Sequence, residues 1–122
     1  MAVTVVAADP VALLKGIMEK FDRHAIPGWE NDGESFTLTV PEWAGKAWIR
    51  PFPQSGQLVL GLVPSEGQQM SQELYAAYHG RLIELLLLHS DGLMSSAQIT
   101  AGVTYPDLMH WTGESQYAPR SE

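Results

Sequence analysis

The chain predicts an α+β fold: a two-layer sandwich with one antiparallel sheet and two main helices packed on one face. Three observations carry this reading. Residues 10–24 and 68–88 repeat apolar side chains at helical spacing. Between them, three segments show strand patterns, and the joints between those segments are only a few residues long. The expected element order is α-β-β-β-α-β, within a single domain spanning residues 1–111 and followed by a flexible tail, 112–122.

Asp9-Pro10 opens the first helix, with Asp9 as N-cap and proline at the first helical position, where its missing N–H costs nothing. Val11, Leu14, Ile17, Met18 and Phe21 then recur on one face, and Ile26-Pro27-Gly28 ends the segment. The acidic stretch Glu30-x-Asp32-Gly33-Glu34 reads as a solvated turn. It lacks the twelve-residue loop and closing glutamate that a calcium site requires. Phe36, Leu38 and Val40 alternate with Ser35, Thr37 and Thr39, the pattern of a half-buried strand. A second strand, Lys46 to Pro51, sets Trp48 against Ala47 and Ile49. A third, Gln57 to Val63, is apolar on both faces, as a central or interface strand is. Val3 to Ala7 is an optional edge strand.

Ser65-Glu66-Gly67-Gln68 has capping-box spacing and is expected to start the second helix at about Gln68. That helix runs to Leu88 and has two apolar sides. Leu74, Tyr78, Leu82, Leu85 and Leu88 form one stripe; Ala76, Gly80, Ile83 and Leu87 form another at spacings of four, three and four. A helix on a single core keeps its far side polar. The second stripe therefore marks either a self-association face or a helix buried centrally in its own monomer, and the homodimer is the favoured expectation. Residues 95–104 alternate as a last strand, and Leu108, Met109 and Trp111 suggest one short helical turn.

In element order alone, the chain resembles the small acidic homodimeric chaperones of secretion systems, and also several unrelated α+β folds.

The formal charge is −7, and the second half of the chain holds only two basic residues, Arg81 and Arg120. A surface that tracks phosphates needs clustered Lys and Arg, so nucleic acid and anionic membrane are not expected partners. With no cysteine, there is no disulfide, thiolate nucleophile or cysteine-ligated metal. The N-terminal stretch lacks a basic region and a long apolar core, so a cytoplasmic location is expected.

The sequence points to no catalytic residue, metal ligand or cofactor. His79 and His89 stand ten apart rather than at metal-sharing spacing, and only His89-Ser90-Asp91 brings a carboxylate near a histidine. Ser55 and Ser65 lie at turns, without a nucleophile elbow. The glycines form neither a phosphate loop nor a dinucleotide fingerprint. Tryptophan is favoured at interaction hot spots, which makes Trp29, Trp43 and Trp111 candidate partner-binding residues. The resulting expectation is a small acidic, non-enzymatic protein-binding or assembly module (chaperone, adaptor or inhibitor-like) that buries apolar and aromatic surface. The alternative is a small-molecule-binding domain or small enzyme, with a pocket between sheet and helices lined by Trp29, Trp43 and Tyr78. A purely structural subunit of a larger complex is a third class.

Overall fold

The computed structural model describes residues 2–100. The expected turn at Leu108–Trp111, the tail from Thr112 and the last residues of the final strand lie outside them. The elements are β1 (Ala2–Val6), α1 (Pro10–Asp22), β2 (Trp29–Asn31), β3 (Phe36–Leu38), β4 (Ala47–Gln54), β5 (Gln57–Pro64), α2 (Gln72–His89) and β6 (Ser96–Ile99). They build one antiparallel sheet in the order β2-β3-β4-β5-β1-β6. The α+β class stands. The expected element order does not, because two strands precede the anticipated three: the order is β-α-β-β-β-β-α-β.

β1 is one of those strands, and it lies inside the sheet rather than at its edge. Val3 and Val5 face Leu60 and Leu58 on one side and Ile99 and Ala97 on the other. Both valines are fully buried. β2 is the other, and it pairs Trp29 with Leu38. The turn after it is tighter than expected: Asn31 Oδ1 accepts from the Gly33 N–H, Asp32 Oδ1 accepts from the N–H groups of Glu34 and Ser35, and Gly33 has φ +98°. These bonds satisfy the backbone of the hairpin with local side chains.

The β3-β4-β5 meander follows the pattern read from its alternation. Ala47 and Ile49 are buried, while Trp48, between them, is half-buried on the other face. β3 pairs with β4 at Phe36↔Ile49, and β4 then runs on beside β5 alone. Pro51 and Pro53 fall in that stretch, where a strand can do without N–H donors on one edge.

α1 begins as its sequence indicates, with Asp9 Oδ1 accepting from the Ala12 N–H at 3.0 Å. α2 begins later than Gln68. Gly67 sits at φ +82° and Ser65 closes a turn, its carbonyl accepting from the Gln68 N–H. Ser65 Oγ donates instead to the Gly45 carbonyl. Ser71 is the cap in use, accepting from the Leu74 N–H at 3.0 Å.

One core joins Val3, Val5, Leu58, Leu60, Leu62, Ile49, Phe36 and Leu38 of the sheet to Leu13, Ile17 and Phe21 of α1 and Leu74, Tyr78, Leu82, Leu85 and Leu86 of α2. The plain two-layer picture is also corrected. It expects a solvated outer sheet face, yet on the face away from this core Val59 is only 5% exposed and Gly61 is buried. The cross-strand neighbours of Val59 there are Thr4 and Phe52. Among the described residues, no helix is long and apolar enough to cross a membrane.

Candidate functional site

α2 is anchored to the rest of the fold at three places, and the anchors determine which side it turns outward. Near its first third, the Tyr78 hydroxyl reaches the start of β4. It donates to the Trp43 carbonyl at 2.5 Å and accepts from the Ala47 N–H at 3.3 Å, with Thr37 Oγ1 at 3.1 Å. A buried hydroxyl needs such partners, and here they fix the helix rotation. Along its length, Leu74, Leu82, Leu85 and Leu86 enter the core. At its C-terminus, the Lys20 ammonium of α1 donates to the His89 carbonyl at 3.3 Å and pairs with Asp91. The hydrogen bond from Lys20 holds the Asp91 carboxyl below the usual carboxylate range. A cation at the last carbonyls also complements the negative end of the helix.

The opposite side is open to solvent. Ala76 and Gly80 are exposed, Ile83 is half-buried, and Leu87 is 69% exposed. These four are the small-residue stripe read from spacing, and they form the outward face of the helix rather than a second buried one. The reading of α2 as centrally buried is corrected accordingly. Leu88, which spacing assigns to the inner stripe, is also 69% exposed. A three-residue step from Leu85 rotates backwards by about 60°, whereas the buried side, drifting forward at 3.6 residues per turn, takes Leu86 instead.

Gly80 is the residue on this face that the monomer does not explain. Mid-helix glycine costs about 1 kcal/mol relative to alanine. A Cβ built at Gly80 meets nothing within 4 Å among the described residues. Beside the stripe, Arg81 and Glu84 approach at 3.8 Å as an exposed i,i+3 pair. Such a pair contributes only tenths of a kcal/mol to the helix itself.

The tryptophans are not brought together as one rim. Trp29 is 8% exposed and is a core side chain, packed edge-on against Phe36 at 5.5 Å and Tyr78 at 6.1 Å between ring centroids. Its burial follows from its place in β2, opposite Leu38, instead of in a turn. Trp29 and Tyr78 thus fill each other's space where a pocket between sheet and helices is the alternative expectation. Trp29 still borders a cleft of about 340 Å³ that it shares with Ile26, Arg81, Leu85, Leu88 and His89. Trp43 is half-buried at the margin of the core, with the Lys46 ammonium 5.6 Å from its ring centroid. Trp111 lies outside the described residues.

Asp91, the carboxylate nearest His89 in the sequence, is engaged by the Lys20 ammonium. No three metal-ligating side chains cluster among the described residues. His79 is the group that sequence reasoning misses. It is 3% exposed, its Nδ1 bonds the Tyr75 carbonyl at 2.9 Å, and its Nε2 is buried without a partner. Burial pushes its pKa down to about 4. Its position one residue after Tyr78 on the apolar side is the signal available in the sequence.

Among the described residues, the most distinctive arrangement is a firmly held helix that presents leucines and small residues to water. Comparisons with protein families, with curated proteins and with solved structures found no match to this chain.

Proposed function

We propose that this protein is a small acidic, non-enzymatic protein-binding or assembly module that works by burying apolar surface. In this reading it forms a homodimer through Ala76, Gly80, Ile83 and Leu87, in a cytoplasmic setting that suits a cysteine-free chain. One observation carries the proposal: Leu87 and Leu88 stand 69% exposed on a helix whose inner face already closes the core. Fully burying a leucine side chain is worth roughly 1.5–3 kcal/mol, so leaving Leu87 mostly in water forgoes a good part of that, which a partner on this face would recover. Single exposed apolar residues need no explanation, but two successive exposed leucines on an anchored helix invite one. Trp43, and the edge of Trp29 beside Leu88, are the aromatic contacts such a partner would add, with Trp111 as a further candidate.

Light scattering coupled to size-exclusion chromatography tests this over a concentration series reaching the millimolar range. The expected result is a mass rising toward twice that of the single chain. Leu87→Glu should return it to the single-chain mass while the circular dichroism spectrum remains that of a folded protein. A wild-type chain that stays single at every concentration would overturn the homodimer. A Leu87→Glu variant that unfolds instead would place Leu87 in the monomer core.

A further inference from the structure

We infer that residues 101–111 of this chain fold back over the outer face of its own sheet, the face away from the core that the sheet shares with α1 and α2. Val59 is the residue that calls for a cover. It is 5% exposed, yet it stands outside that core. Strand alternation explains its position: Leu58, Leu60 and Leu62 of β5 point into the core, so Val59, Gly61 and Val63 point the other way. The pairing register sets Val59 between Thr4 and Phe52, and Val63 beside Trp48. These four neighbouring side chains are each half-buried, and the apolar ones, Trp48, Phe52 and Val63, also lie outside the helix-side core. An antiparallel sheet with one solvated face carries polar residues there, whereas the centre of this face is apolar.

The length of the remaining chain, and the place where it starts, name the occupant. β6 is the edge strand beside β1, and Thr100 follows Ile99, the residue that pairs with Val3. Val59 on β5 is two strands in from that edge, roughly 10 Å across the sheet. An extended stretch as long as residues 101–111 spans up to roughly 36 Å, enough to cross from β6 to β4. Its chemistry matches the face: Val103, Tyr105, Leu108, Met109 and Trp111 are apolar, and Asp107 is its one acidic residue. Residues 112–122, by contrast, carry Glu114, Arg120 and Glu122. The other surface within reach is the outward face of α2, because the Thr100 hydroxyl lies 3.5 Å from that of Tyr75. That face stands in water at Ala76, Gly80 and Leu87, while the sheet face is closed at Val59 and Gly61. The difference in exposure selects the sheet. Trp111 thereby gains a place within the chain, and the α2 surface is left as it is.

Thiol labelling tests this on the full chain, which has no native cysteine. Val59→Cys is compared with Val6→Cys, on the same face but 44% exposed. A maleimide should label Val59→Cys roughly tenfold more slowly at every protein concentration, because thiol reactions depend on access. Adding Leu108→Asp and Trp111→Asp together should raise the Val59→Cys rate by roughly the same factor, whereas Gln116→Asp should leave it unchanged. Equal rates for the two thiols would mean that nothing covers Val59, and would overturn the proposal. Protection that survives the double substitution would assign the cover to another element, and protection that fades on dilution would assign it to a second copy. Either result also overturns the proposal. Should the double variant lose its folded circular dichroism spectrum, the unsubstituted chain decides. Nuclear Overhauser contacts are then expected between the Val59 methyls and side chains of residues 101–111, and their absence would sink the idea.

Discussion

His79 enters the core as a neutral imidazole, and that choice costs stability in acid. Its Nδ1 faces the Tyr75 carbonyl, an acceptor, so Nδ1 carries the proton and Nε2 is left as a buried, unpartnered acceptor. Burial depresses its pKa from 6.5 to about 4. In the unfolded chain the ring takes up a proton as pH falls through 6.5, while in the folded chain it does so only near 4. Between those values the unfolded state binds more protons, so stability falls with pH across that window and levels off below it. The loss has a ceiling of about 3 kcal/mol, since a tenfold weakening of proton affinity is worth roughly 1.4 kcal/mol. His79→Leu should remove that part of the slope. Urea unfolding at pH 7, 5.5 and 4 measures it, and parallel pH profiles for the two proteins would show that the ring does not titrate in this way. The Tyr75 carbonyl keeps its helical N–H donor in the variant, so the comparison isolates the imidazole.

At the scale of the element, α2 contains one glycine whose cost the single chain bears without a return. Among the described residues, nothing lies within 4 Å of a methyl placed at Gly80. Gly80→Ala should stabilise the dilute, dissociated protein by about 0.5–1 kcal/mol through helix propensity. The same methyl lies on the face proposed for self-association, so association should weaken as folding strengthens. Gly16→Ala on α1 is the control: nothing lies within 4 Å of the added Cβ there either, so it should stabilise without touching association. Urea unfolding of the dilute proteins and a sedimentation series together read both quantities. A destabilised Gly80→Ala monomer would mean the position is packed after all. The elements also show what is legible in the sequence. Helical spacing locates both helices and picks out Ala76, Gly80, Ile83 and Leu87 as one face, because that period is local. It does not choose between Ser65 and Ser71 as the cap, since the deciding fact is the left-handed backbone at Gly67. β2 is three residues long, too short for any period to show. β1 is apolar almost throughout, and its place in the sheet depends on Leu58 and Leu60, more than fifty residues away. Trp29 is misread for the same reason, as its burial comes from the strand it lies in.

For the whole molecule, the decisive property is that the core closes without Leu87, although Ile83 on the same face packs against its margin. All the large side chains of the core, from Val3 on β1 to Leu86 on α2, are buried within one chain, while Leu87 is not among them. The proposed self-association would then be separable from folding and coupled to it by mass action alone. Above its dissociation constant, a dimer that binds only the folded state raises the apparent stability with concentration, and a monomer does not. Each tenfold rise in concentration adds about 0.7 kcal/mol per chain, which for a domain of this size corresponds to roughly 2–4 °C in melting temperature. The wild-type melting temperature should therefore be flat when dilute and climb by that amount per decade at high concentration. Leu87→Glu should melt at one temperature throughout, close to the dilute wild-type value, because it removes the climb and leaves the core untouched. Scanning calorimetry over two decades of concentration distinguishes the cases. A variant that melts well below the dilute wild type would mean that Leu87 supports the monomer. A wild type without any concentration dependence would leave its exposed leucines without a second copy to cover them.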